Sequence, residues 1–467
     1  MTSTRTLEEL NRAHMIQPTR DYHEQENQDP RIVVGGKGIR VEMSDGTTAI
    51  DGFSSLWNVN IGYGRTEIAD AVAEQMKKLA YFNPFYDFAT EPSIRLAERL
   101  MELLPSDRGL TRFLFTSGGS EANETAFHFA RQYHAAKGHR GRMKIISRSM
   151  GFHGGTRSAE SATRIPIFHT MEAPDPLHIE MAAPYRSCVP FSCYQSDDCH
   201  LDCVADLERV LAREDPNTVA AVIVDAVMGT GGMIPSPEGY FEKLQETCRK
   251  HDVLLILDEV VTAFGRTGTW FGMERGNIQP DIITMAKGIT SGYLPLGGVA
   301  MTQNVWETLR DGTPRGLGFL AGLTYNNHPA ACAAALANLE IVEREGLVEN
   351  TAQVGPYLQQ CLRDALEELP YCGEIRGIGF MSAVEWAEPG TNEPVGGRYH
   401  VFANILTRKA YEKGLIVRAL WESTGIVPPL CTTRQDVDEI VDIIAAAARE
   451  TMEAVEAKRV RRAAKAS

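Results

Sequence analysis

Two residues carry chemistry that the rest of this chain has to position: Asp258 and Lys287. Asp258 closes the apolar run Val253 to Leu257, which reads as a strand buried on both faces, so its carboxylate falls where strand meets loop. A second short strand, Asp281 to Met285, runs into Ala286-Lys287-Gly288, with Gly292, Gly297 and Gly298 close behind. In open α/β sheets the carboxyl edge is where ligands bind. A lysine with such small neighbours is placed to be an amine nucleophile. Taken singly, a helix-capping aspartate and a solvated lysine are the commoner explanations, since most Asp and Lys face water. A third feature joins the pair. Arg112 to Thr116 reads as a strand, followed by Ser117-Gly118-Gly119-Ser120-Glu121-Ala122-Asn123 and a helix through Lys137. The backbone N–H groups and dipole at such a helix start favour a phosphate, and Ser120 can add a hydroxyl bond while capping the helix. The turn is not G-x-G-x-x-G, which argues against a dinucleotide.

A lysine for an aldehyde, a carboxylate for a pyridinium nitrogen and a turn for a phosphate are together what pyridoxal phosphate needs. The residues around them extend the case. D-E-V-x-x-x-F-G-R-T-G from Asp258, followed by P-D-(apolar)-x-x-x-A-K-G-(apolar)-x-x-G-Y-x-P-(apolar)-G, resembles the class III (omega) aminotransferases of pyridoxal-phosphate fold type I, of the amine or omega-amino acid:pyruvate kind. The likeness runs from about Asp51 to the C-terminal helix. It implies that Lys287 forms the Schiff base and that Asp258 pairs with the pyridinium nitrogen. Gly119 and Ser120 would hold the phosphate. Phe152 would stack on one face of the ring and Val260 on the other, with His153 in the site by motif. Thr324 would reach the phosphate of a neighbouring subunit's cofactor, which implies a homodimer or higher homo-oligomer with shared sites. Trp57, Tyr86 and Arg418 would line the substrate pocket, with Arg418 binding the carboxylate of an acid substrate. The implied reaction moves an amino group from a primary amine or omega-amino acid to a keto acid, with pyruvate as the expected acceptor, by ping-pong chemistry. An aminomutase or a dialkylglycine-type decarboxylase is the alternative on the same scaffold. The chain departs from the pattern at Phe152, where many relatives carry tyrosine. It departs again at Asp225, Ala226 and Met228, where relatives usually show Glu, Pro and Gln.

The elements that must hold these residues read as α/β: a large mixed-sheet α/β/α domain plus a smaller α+β domain. The expected division is residues 1–55 as an N-terminal segment contributing to the small domain, 56–335 as the cofactor domain and 336–467 as the small domain. Turns are expected at Gly35-Gly36 and Asp45-Gly46, one strand over Gly377 to Glu385, another over Leu415 to Arg418, and a frayed basic tail over Lys458 to Lys465. The chain has 467 residues, 43% hydrophobic and 23% charged, with a formal net charge of −14. That balance argues against nucleic acid and anionic membrane as partners. No apolar run approaches a membrane span, and the polar N-terminus lacks a signal-peptide core, so a cytoplasmic protein is expected. Cys188, Cys193, Cys199 and Cys203 cluster around His200, but without a C-x-x-C pair. They read as reduced thiols, so no metal is expected, with a structural zinc site as the lesser alternative.

Overall fold

The computed structural model describes residues 6–185, 201–391, 393–397 and 400–466, the last six of these as backbone alone. Near the N-terminus, β1 (Val33–Lys37), β2 (Arg40–Met43) and β3 (Thr48–Asp51) form an antiparallel meander. The Asp45-Gly46 turn forms as expected. The turn expected at Gly35-Gly36 does not, because both glycines lie inside β1 and the chain reverses at Gly38, where φ is 59°. Gly36 serves packing instead: a Cβ there would stand 2.9 Å from Cγ of Tyr63.

The central sheet takes β4 (Leu110–Thr116), β5 (Lys144–Arg148), β6 (His178–Met181) and β7 (Val219–Asp225). A two-stranded ribbon of β8 (Val227–Met228) and β9 (Ile234–Pro235) follows, and then β10 (Leu254–Asp258), β11 (Ile282–Met285) and β12 (Gly297–Thr302) return to the sheet. Its order is β4-β12-β11-β10-β7-β5-β6. β10 runs parallel to both β7 and β11, whereas β12 runs antiparallel to both its neighbours. Every residue of β7, β10 and β11 is buried, as a parallel sheet covered on both faces demands. Side chains alternate between the two covers. Leu255 and Leu257 pack into one core with Tyr240 and Phe271, while Leu254 and Ile256 meet Ala122, Ala126 and Phe127 of the helix Gly119–Ala136.

The C-terminal part adds β13 (Cys372–Ile378), β14 (Met381–Trp386), β15 (Leu415–Ile416), β16 (Arg418–Leu420) and β17 (Ser423–Ile426). Two single strands expected from the sequence are each divided. Gly377 to Glu385 spans a hairpin, with Gly379 at φ 55° in its turn. A Cβ at Gly379 would lie 2.6 Å from the Arg266 carbonyl oxygen, so close approach to the Arg266 loop sets the break. Leu415 to Arg418 also divides: β15 pairs with β3, while Arg418 opens β16 and pairs with β17. The helix Arg434–Ala466 continues through the basic segment expected to fray. Among the described residues no helix is long and apolar enough to cross a membrane.

A second core joins Ile39, Ile50 and Ile61 to Leu415, Trp386 and Phe402. Trp386 is fully buried, stacks on Phe402 with ring centroids 4.6 Å apart, and donates its Nε1–H to Thr424 Oγ1 at 3.0 Å. Trp386→Ala should cost about 3–5 kcal/mol of stability. A thermal melt of the full-length protein should therefore fall by several degrees, and an unmoved melt would show that this core does not limit stability.

Candidate active site

The site is built on strand register. Parallel pairing sets Asp258, the last residue of β10, opposite Asp225 on β7 and Thr284 on β11. Asp258 is buried. Its Oδ2 accepts from Asn123 Nδ2 at 2.8 Å and lies 2.8 Å from His153 Nδ1; its Oδ1 accepts the Val260 N–H at 3.0 Å. Asn123 also donates to the His153 carbonyl at 2.6 Å and accepts from Thr284 Oγ1 at 2.8 Å, so it ties helix, loop and sheet edge together. Nothing in the sequence motif singles out Asn123. Its only linear cue was its place in the helix, four residues after Gly119 and so on the same face.

β11 delivers Lys287 to the same edge, in a left-handed backbone conformation with φ 46°. Asn338 Nδ2 holds the next two carbonyls, of Gly288 at 2.8 Å and Ile289 at 3.0 Å. Asn60 packs on Gly288 so closely that a Cβ there would meet its Nδ2 at 2.4 Å. Lys287 Nζ stands 5.4 Å from the centroid of the Trp57 ring. The cleft leaves Lys287 partly exposed, but protein surrounds it densely enough that burial lowers its pKa to about 8. Asp258 and Asp225 oppose that shift, and the buried guanidinium of Arg266 adds to it. Arg266 is fixed by the Pro428 carbonyl at 2.6 Å and Asn60 Oδ1 at 2.7 Å.

The glycine turn after β4 opens the helix Gly119–Ala136, which has no side-chain cap. A Cβ on Gly119 would stand 2.9 Å from Val260 Cγ1 and 3.6 Å from the Ala286 Cβ, so the turn abuts both strand ends. Ser120 Oγ accepts the Gly155 N–H at 3.0 Å, which leaves its own proton to donate.

Comparison with known proteins decides the family. The pattern of the family described as aminotransferase class-III matches residues 22–448. The chain is a class III aminotransferase. It is 40% identical over 417 residues to a diaminobutyrate–2-oxoglutarate transaminase of Halomonas elongata, covering 88% of each chain. To a putrescine–pyruvate aminotransferase of Pseudomonas aeruginosa it is 34% identical over 462 residues, covering 97% of this chain and 98% of that one. The solved omega transaminase of Pseudomonas jessenii in complex with PMP superposes with a TM-score of 0.91 at 32% identity, over 97% of this chain and 99% of that one. The fold is therefore that of the type I pyridoxal-phosphate transaminases, and this aminotransferase is a pyridoxal-phosphate enzyme. Its residues fit that cofactor. A lysine with pKa about 8 suits an aldehyde, the carboxylate of Asp258 is held at the sheet edge, and the Gly119 cradle leaves no room for a Cβ.

The other expected site residues fall into two groups. Trp57 is buried between Phe53 and the Gly229 loop, where a Cβ on Gly229 would meet its ring at 2.8 Å. Phe152 is half-buried beside His153, with its ring edge against Phe168. These two, with Lys287, Asp258, Val260, His153, Gly119 and Ser120, belong to one edge of the sheet. Tyr86, Thr324 and Arg418 are exposed. Tyr86 is 95% exposed, and its loop is joined to that of Thr324 by the Tyr81 hydroxyl, which donates to the Thr324 carbonyl. The Arg418 side chain has neither hydrogen bond nor ion pair among the described residues. Cys188, Cys193, Cys199 and His200 lie outside the described residues, and Cys203 is buried in the first turn of the helix Asp202–Glu214. In cofactor-free protein, the rate of pyridoxal phosphate capture should rise with pH and level off above about 8, because only the neutral amine attacks. A rate still climbing through about pH 10, where an ordinary lysine titrates, would contradict a desolvated Lys287.

Proposed function

We propose that this aminotransferase takes an amino group from a primary amine or omega-amino acid and passes it to pyruvate by ping-pong chemistry, with Lys287 as the residue that binds the cofactor and moves the proton. The observation that carries the reading is the desolvated Lys287 beside Asp258 at two adjacent strand ends. Pyridoxal phosphate, when bound, supplies the aldehyde that takes up the amine and the ring that accepts electrons from the substrate carbon. The protein supplies the rest. With a pKa near working pH, Lys287 can accept a proton in one step and return it in the next. Asp258, with Oδ2 taken by Asn123 and His153, keeps capacity on Oδ1 for a protonated ring nitrogen. The N–H groups of Gly119 and Ser120 and the Ser120 hydroxyl suit the phosphate.

Trp57 walls the donor pocket above Lys287, and Arg418, which has no carboxylate partner among the described residues, is free to take the acceptor's carboxylate. One guanidinium for one carboxylate favours pyruvate, the acceptor named for the Pseudomonas aeruginosa relative. Thr324 and Tyr86 serve the site of a second copy, which makes the enzyme a homodimer or a multiple of one. Their exposure, with Phe82, Leu320 and Tyr325 beside them, supports this. The domain division at residues 55 and 335 and a cytoplasmic location belong to the same reading; the pairing of β3 with β15 and the acidic composition support them.

The visible absorption of the purified enzyme tests the reaction. The yellow band should bleach with an amine donor and return with pyruvate. A band that never responds to donors would instead direct attention to the mutase and decarboxylase chemistries, and Lys287→Ala should abolish turnover with both partners. Arg418→Ala should raise KM for pyruvate about tenfold or more, the worth of a charge-assisted hydrogen bond. KM for a neutral amine should change little. An unchanged pyruvate KM would remove Arg418 from the acceptor site.

A further inference from the structure

We infer that Asp225 is a positioning residue of the cofactor site, holding His153 as an imidazolium against Asp258. The inference rests on the reading of Asp258 as the partner of the ring nitrogen. In the sequence Asp225 stands apart only as a departure from the family pattern; strand register gives it a place. Parallel register puts Asp225 directly beside Asp258. Polar atoms of His153, Asp225 and Asp258 all lie within 4.8 Å of one another, and all three residues are buried. The carboxylate of Asp225 therefore belongs under the sheet edge rather than out in the cleft with Arg418.

The cation that this cluster already contains is Arg148, the last residue of β5 and fully buried. Its Nη2 reaches the Asp225 carbonyl at 2.5 Å and Oδ2 at 3.4 Å, while Nη1 reaches Ser236 Oγ at 3.1 Å and the guanidinium lies 5.7 Å from the Tyr240 ring centroid. Taken by themselves, two carboxylates and one guanidinium carry a net negative charge out of water, which is unfavourable; burial and Asp258 raise the pKa of the Asp225 carboxyl, and His153 and Arg148 pull it back down. A proton on His153 brings the four groups to zero.

The charged groups facing His153 are Asp258 from β10, Asp225 from β7 and Arg148 from β5. Lys287, beyond β11, faces the same two carboxylates. Burial works against the proton on His153, yet Asp225 and then Asp258 outweigh both burial and Arg148, and the pKa is raised. Nε2 of His153 has no hydrogen-bond partner among the described residues, so Nδ1, against Asp258 Oδ2, is the one nitrogen through which the ring meets a carboxylate. An imidazolium on Oδ2 draws charge from the Asp258 carboxylate and lowers its basicity. Asp225 thereby sets, through His153, how strongly Asp258 holds a proton on the ring nitrogen.

The test is ¹⁵N-histidine NMR of the full-length protein, with and without pyridoxal phosphate, titrated with pH. In the wild type, His153 should carry protons on both nitrogens at about pH 7, above the ordinary histidine midpoint. In Asp225→Asn its midpoint should fall by about one pH unit or more, a tenfold loss of protonation. The pH midpoint of the holoenzyme's visible band should move as well. Arg148→Gln should shift His153 the opposite way. A wild-type His153 that is already neutral at about pH 7 would overturn the inference without any variant. So would an Asp225→Asn midpoint equal to that of the wild type. Failure of the underlying reading of Asp258 looks different: the His153 midpoint would fall in Asp225→Asn while the pH midpoint of the visible band stayed where it is in the wild type.

Discussion

The parallel register of β7, β10 and β11 is the constraint on which the site depends. It sets Asp225, Asp258 and Thr284 abreast and sends the chain beyond β11 straight into Lys287. Because the strands are buried on both faces, a slip of one residue would turn every side chain to the wrong cover. The alternation of Leu254 and Ile256 against Leu255 and Leu257 therefore fixes the position of the carboxylate as firmly as its hydrogen bonds do.

Lys287 is placed at a cost. A left-handed backbone at a non-glycine residue is worth about 1–3 kcal/mol of strain, and desolvating the amine adds to it. Amide side chains from distant parts of the chain offset both. Asn338 captures the carbonyls that follow the lysine, Asn60 seats Gly288, and Asn123 fixes Asp258 from the other side. Neutral amides do this without adding charge, so the pKa of Lys287 is left to burial, which lowers it, and to Asp258, Asp225 and Arg266, which adjust it. A site with charged clamps in these places would lose that control.

Much of this arrangement was legible in the chain itself. A strand ending in aspartate, a lysine followed by small residues and a glycine turn before a helix are local patterns, and each forms where the sequence puts it. The glycine pair in β1 and the two divided strands were misread for one reason. Their conformations answer to Tyr63, to the Arg266 carbonyl and to β3, all distant in sequence. The same holds for Asn123, Arg148 and Asp225. An asparagine inside a helix and an arginine ending a strand carry little linear signal, because strand register decides what they touch. Tyr86 and Thr324 stand exposed in the single chain, where the sequence motif alone gives no sign of what covers them.

The central claim is that Lys287 is the lysine that takes the cofactor. Reducing the yellow holoenzyme with borohydride, digesting it and mapping the phosphopyridoxyl label by mass spectrometry tests that claim most directly. The account predicts a label on the peptide containing Lys287 alone. A label on any other lysine, or none on a protein that is visibly yellow, would contradict it.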